Sequence, residues 1–196
     1  MKKCCTYLMI FTLIWLFLVG TVLRQRQLSA DVIRIHVLAN SDSVENQTVK
    51  LRVRDAVISR LAEVTSGCED RKSAAAAMIA HAEELGSIAA STAGTSASVL
   101  LAPEVYETRR YGGFALPAGE YLSLQIRLGE AAGKNWWCVA FPMVCLTATA
   151  EDFEAVAAAG GLDAEEIRLM TGDGMNVEVR FMVLEWLQQL KTRFFS

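Results

Sequence analysis

The sequence predicts an α+β protein: an N-terminal transmembrane or signal helix, then one domain with a helical pair, an antiparallel meander and a C-terminal helix. Three observations carry that prediction. Residues 6–23 contain no charged side chain, and as a helix rising ~1.5 Å per residue such a run approaches the ~30 Å of a hydrocarbon core. Residues 44–64 space their apolar side chains three and four apart, the helical period, and the Ala-rich stretch from Glu69 to just before Gly94 is made of strong helix formers. Residues 120–128 alternate apolar and polar side chains, as a strand with one buried face does.

The elements follow in order. Lys2 and Lys3 precede the apolar run as the charged start of an export signal, and Arg24 and Arg26 follow it. Residues 1–30 therefore read as a signal peptide or a membrane anchor with a short linker, oriented with its N-terminus inside. Leu28-Ser29-Ala30 is the nearest cleavage pattern, with a bulky residue at its third position from the end. Cleavage and retention both stay open. Ile33 to Leu38 is a β-branched strand, and Asn40-Ser41-Asp42-Ser43 supplies turn and capping chemistry for a helix from Val44 to Val64. The face of that helix carrying Lys50, Arg52, Arg54, Arg60 and Glu63 is predicted to be solvated. A second helix starts near Glu69 and ends before Gly94. Ser98–Ala102 and Glu104–Tyr111 read as two strands around Pro103, and 120–128 and 136–141 as a hairpin. Residues 148–176 are acidic, rich in Ala and Gly and the loosest part of the 31–196 domain, before the terminal helix.

Composition narrows the function. Residues 31–196 carry fifteen basic against twenty-two acidic side chains, the wrong sign for displacing phosphate counterions, so no nucleic-acid partner is expected. The chain lacks Gly-x-Ser-x-Gly, Walker, His-Glu-x-x-His and Gly-x-Gly-x-x-Gly motifs. His36 and His81 are the only histidines, far apart in sequence. Asp42, Asp55, Glu120 and Glu130 are available as acid–base groups, but capping or surface ion pairs explain Asp42 and Asp55 more simply. No catalytic residue, metal ligand, cofactor or small-molecule substrate is predicted. Cys138 and Cys145 flank Pro142 and form either a disulfide, as export favours, or two buried thiols.

What remains is a set suited to a protein partner: Arg109, Arg110 and Tyr111, then Tyr121, then the consecutive Trp136 and Trp137. Consecutive strand residues point to opposite faces, so one tryptophan can fill the core while the other is exposed or covered by another element.

The same segments carry a family resemblance. Arg34-Ile35-His36-Val37-Leu38-Ala39-Asn40-Ser41-Asp42-Ser43 with Lys50-Leu51-Arg52-Val53-Arg54-Asp55 resembles the N-terminal signature of the stage II sporulation protein R family. So do Arg110-Tyr111-Gly112, Leu116-Pro117-Ala118-Gly119-Glu120-Tyr121 and Gly133-Lys134-Asn135-Trp136-Trp137-Cys138, with a C-terminal block around Trp186. Met143-Val144 departs from the Pro-Leu that the family often has before its second cysteine.

The resemblance implies a protein exported from the forespore into the space between its membrane and the mother cell's. There, such proteins trigger a membrane-embedded aspartic protease that processes a sigma-factor precursor. The exported protein is itself no enzyme on this reading. Family-motif residues His36, Asn40, Asp42, Arg54, Asp55, Gly112, Pro117, Gly119, Glu120 and Asn135 serve either contacts or turns. An extracytoplasmic envelope hydrolase and a structural envelope-binding module are the alternatives.

Overall fold

The computed structural model of the protein describes residues 2–111, 114–146, 150–171 and 175–195. An apolar helix α1 (Lys2–Asp31) leads directly into strand β1 (Ile33–Leu38). Helix α2 (Val44–Val64) starts where Ser43 Oγ accepts the Asn46 amide at 3.2 Å. Its Val53, Val57 and Leu61 stripe is fully buried. Gly67, at φ +83°, turns the chain, and Asp70 and Ser73 form a reciprocal capping box for α3 (Arg71–Ala80). One helix was expected from Glu69 to Gly94. Instead it divides at His81, and α4 (Ala82–Ala93) then ends at a left-handed Gly94. The break leaves Ala74 and Met78 of α3 and Leu85 and Ala89 of α4 buried in one cluster.

Strand β2 (Ala97–Tyr106) runs unbroken through Pro103, where two strands were expected. As an edge strand it can place a residue without an amide hydrogen where no ladder bond is needed. Arg109–Arg110 (β3) leaves that strand and pairs with Ala115–Leu116 (β4) in a separate ribbon. Strands β5 (Gly119–Leu128) and β6 (Asn135–Phe141) complete the main sheet, ordered β2-β5-β1-β6.

The expected β5–β6 hairpin does not form, because β1 lies between them, parallel to β5 and antiparallel to β6. The linking loop is instead tied over the end of β1. Gly133 N donates to Ala39 O at 2.9 Å and Ala132 N to Asn40 O at 3.2 Å. Side chains of the Asn40–Ser43 turn finish the clasp: Glu130 N donates to Asn40 Oδ1 at 2.9 Å and Lys134 N to Asp42 Oδ1 at 2.6 Å.

Helices α2, α3 and α4 bury Ile33, Ile35, Val37, Leu124 and Ile126 on one face of the sheet. The other face is covered toward the Arg34 and Ser123 end by a second cluster. There Phe114, Leu116 and Tyr121 meet residues of α1, α5 (Ala150–Ala159), α6 (Ala164–Thr171) and α7 (Met175–Phe195). Lys50 departs from the solvated face expected of α2. It is buried at 6% exposure, and its Nζ donates to Gln47 Oε1, Lys134 O and Asn135 O. Burial lowers its pKa from the usual lysine value, with Asp42 pulling the other way.

Candidate functional site

On the second face the strands place side chains in cross-strand rows. Ser98, Arg127, Leu38 and Asn135 form one row, Leu100, Gln125, His36 and Trp137 the next, and Ala102, Ser123, Arg34 and Val139 the third. Burial rises along the series. The first row is open or half-open to solvent, His36 and Gln125 are covered, and Ser123, Arg34 and Val139 have no exposure.

Between the open and closed ends stands a stack. Arg109 Cζ lies 4.0 Å from the centroid of the Trp137 ring, and that ring stacks on His36 at 5.3 Å with 26° between planes. His36 Nδ1 is 2.8 Å from Glu104 Oε1. The Tyr106 hydroxyl donates to Glu104 Oε2 at 2.9 Å and lies 2.6 Å from Ser123 Oγ. Burial pushes the Glu104 carboxyl upward. Hydrogen bonds from His36 and Ser123, the electrostatic pull of His36 and the Tyr106 hydroxyl outweigh it, holding the group at about 2.

Beneath this network the Arg34 guanidinium is fully buried. Its Cζ is 3.9 Å from the Tyr106 ring centroid and 5.5 Å from that of Tyr121, and its Nη2 donates to the Tyr111 hydroxyl. Aromatic faces and a phenolic oxygen thus take the place of a carboxylate partner. Burial raises the pKa of all three tyrosines, against the pull of Arg34, so the phenols stay neutral around the cation.

The parts of an acid–base relay are present here, but Ser123 has no exposure and His36 Nε2 is sealed beneath its neighbours. A substrate has no path to either. The chemistry turned outward is that of a guanidinium on an indole, at the rim of an exposed sheet face that includes Leu100 at 50% exposure. Such a surface fits a protein partner. Among the described residues no group of three or more His, Cys, Asp or Glu side chains is placed to hold a metal ion.

The structure brings Arg109 and Trp137 together, with exposed Arg110 next in β3. Tyr111 is half-buried, stacked on Phe114 at 4.7 Å. Tyr121 is a correction to the expected contact set. It is 1% exposed, and its hydroxyl donates to Pro117 O at 2.8 Å, so it holds a turn. Trp136 points to the opposite face, 5.3 Å beneath Arg54, which is itself paired to Asp55. Of the other motif residues, Asn40 and Asp42 hold the loop before β6, and Glu120 is exposed beside Lys191. Asn135 is exposed, and its carbonyl accepts from Lys50. Gly112 lies outside the described residues. Cys138 and Cys145 are joined as a disulfide across Pro142.

Glu104 and Arg34 were missed as site residues. Arg34 carried one signal, a cation inside a β-branched strand. Glu104 carried none, because its partner lies 68 residues away.

A sequence model of the family described as Stage II sporulation protein R matches residues 29–151. The chain is similar to the Stage II sporulation protein R of Bacillus subtilis (strain 168). Identity is 32% over 182 residues, 81% of this chain and 80% of that protein. No solved structure matches the chain.

Proposed function

The chain belongs to the stage II sporulation protein R family, and on that premise we propose that it is an exported sporulation signal that activates a membrane-embedded aspartic protease. The signal leaves the forespore and meets the protease at the mother-cell membrane, leading to processing of a sigma-factor precursor. It contributes binding energy and no bond chemistry. The observation that carries this reading is the Arg109–Trp137 stack on a sheet face left half open. Indole and guanidinium groups at such a rim are the usual anchors of a protein interface.

The test is co-expression of the protease and its sigma-factor precursor with and without this chain, scoring precursor cleavage. Cleavage is expected only with the chain present. An Arg109→Ala, Arg110→Ala, Trp137→Ala variant that melts like the parent should lose it. Undiminished activation by that variant would remove the interface assignment. The His36–Glu104 pair supplies acid–base groups for a second reading, an extracytoplasmic hydrolase of envelope material, which requires that the buried pair open to substrate. Release of fragments from peptidoglycan by the purified chain would support that instead.

A further inference from the structure

The half-open sheet face is cationic in a domain that is acidic as a whole. Arginines on other surfaces of the domain are neutralised nearby, Arg54 by Asp55 at 2.7 Å and Arg60 by Glu84 at 2.8 Å. Two on this face form no ion pair among the described residues. Arg109 rests on the Trp137 ring, and Arg127 Nη2 donates to the neutral Gln125 Oε1 at 3.0 Å. Arg127 is exposed, and the residue opposite it on β2 is the short Ser98. Glu104, the carboxylate on the same side of β2, is already engaged by His36 and Tyr106. Beside the two cations lie exposed Leu100, half-buried Leu38 and the Trp137 indole.

This combination selects among occupants by charge. An anionic membrane or another extended polyanion would meet the net negative domain as well as the patch, and would be repelled by it. A short acidic segment of a protein meets only the patch, because charges beyond a Debye length of about 8 Å are screened at physiological salt. Each guanidinium is a planar fork that matches a carboxylate bidentately, which fixes register as well as affinity.

We propose that the open sheet face receives an acidic segment of the partner protein, with carboxylates on Arg109 and Arg127 and an apolar side chain against Leu100. Unlike charges steer the encounter and exclude basic partners, while the apolar contact and the indole supply the anchor. This deepens the activation reading and rests on it for the choice of face.

The test places the photo-crosslinking residue p-benzoylphenylalanine at position 100 of the full chain, co-expressed with the protease and its precursor. The crosslinked segment is then sequenced by mass spectrometry. A net acidic protein segment is expected; a neutral or basic segment, lipid alone, or no crosslink overturns the proposal. Arg109→Glu with Arg127→Glu should lower crosslink yield and precursor cleavage at least tenfold. Arg52→Glu, the same charge change at an exposed residue of α2, should lower neither, and equal losses from both would overturn the proposal. Arg127→Gln, which removes one charge and keeps a hydrogen-bonding side chain, should lower both several-fold even if the doubly reversed chain does not fold. Loss of cleavage in the Arg109→Ala, Arg110→Ala, Trp137→Ala variant but not in the charge-reversed one would keep the face and overturn the acidic segment. A parent chain that triggers no cleavage removes the activation reading, and the segment chemistry is then read from the purified full chain in nonionic detergent. Two labelled synthetic peptides serve as probes, one alternating Glu with Leu and the other Gln with Leu. The Glu peptide should bind at least tenfold tighter in low salt, and the charge-reversed chain should lose that preference; equal binding of the two peptides overturns the proposal.

Discussion

Gly133 is a position at which one methyl group should unseat the loop that carries the site. A Cβ there would lie 2.5 Å from the Ser41 carbonyl carbon and 2.9 Å from its Cα, and closer still to the carbonyl oxygen. All three atoms are backbone, so no side chain can swing aside. The two segments must part by about 1 Å to reach the ~3.5 Å of an ordinary carbon contact. That separation breaks the bond from Gly133 N to Ala39 O and the bond from Lys134 N to Asp42 Oδ1. At ~1 kcal/mol for a neutral hydrogen bond and ~1.5–3 for a charged one, Gly133→Ala should cost about 2–4 kcal/mol. For a chain of this size that is a fall in Tm of roughly 4–16 °C. Gly86 is the control. It sits inside α4, where an added Cβ meets only Val99 Cγ2 at 3.8 Å. Gly86→Ala should therefore gain up to about 1 kcal/mol from helix propensity alone. Thermal unfolding of both detergent-solubilised variants, followed by far-UV circular dichroism, should show shifts of opposite sign. A Gly133→Ala protein that melts with or above the parent refutes the reasoning. Because the loop leads into Asn135–Trp137, activation should fall in that variant as well.

Two further outcomes are expected. Glu166 is 2% exposed, and burial, with Asp31 and Asp163 adding to it, raises its carboxyl from the ordinary glutamate value of 4.5 to about 7. The unfolded chain loses this proton first, so the contribution to stability is present below about pH 4.5 and is lost as pH rises through 7. Glu166→Gln should flatten that decline in urea midpoints measured between pH 5 and 8; an unchanged slope would show that another group causes it. The Cys138–Cys145 bridge closes a loop with a sequence separation of 7, for which chain-entropy arguments give about 2 kcal/mol. The doubly substituted Cys138→Ala, Cys145→Ala chain should melt lower by a corresponding amount. Both thiols should resist alkylation in the denatured chain until a reductant is added; labelling without reductant would show there is no bridge.

Much of the fold was legible because it is written in local periods. The stretch 33–38 is a strand and 44–64 a helix with the bounds that β-branched content and helical spacing predicted. The opposite facing of Trp136 and Trp137 followed from strand geometry alone, and the ordered motifs were enough to indicate the family. The site was less legible. Arg109 could be picked out as a cation near aromatics, yet nothing local said that it would lie on Trp137 rather than beside Tyr111.

The rest depended on which element lies beside which. A hydrophobic period tells an element which face to bury and says nothing about its neighbour. So β1 could enter between β5 and β6 unannounced, held there by amide bonds from a loop ninety residues downstream to the Asn40–Asp42 turn. Insertion of β1 brings His36 within reach of Glu104 and places Arg34 among three tyrosines. The same limit applies to Tyr121 and Lys50, which were expected at the surface and which their surroundings bury. It applies most of all to the leader. Composition alone determined that residues 6–23 suit a membrane, since the transfer of apolar side chains needs no knowledge of the fold. Only the tertiary structure decided that the same helix continues into the domain, because Leu28 and Gln25 acquire their contacts from strands and helices that the chain has yet to make.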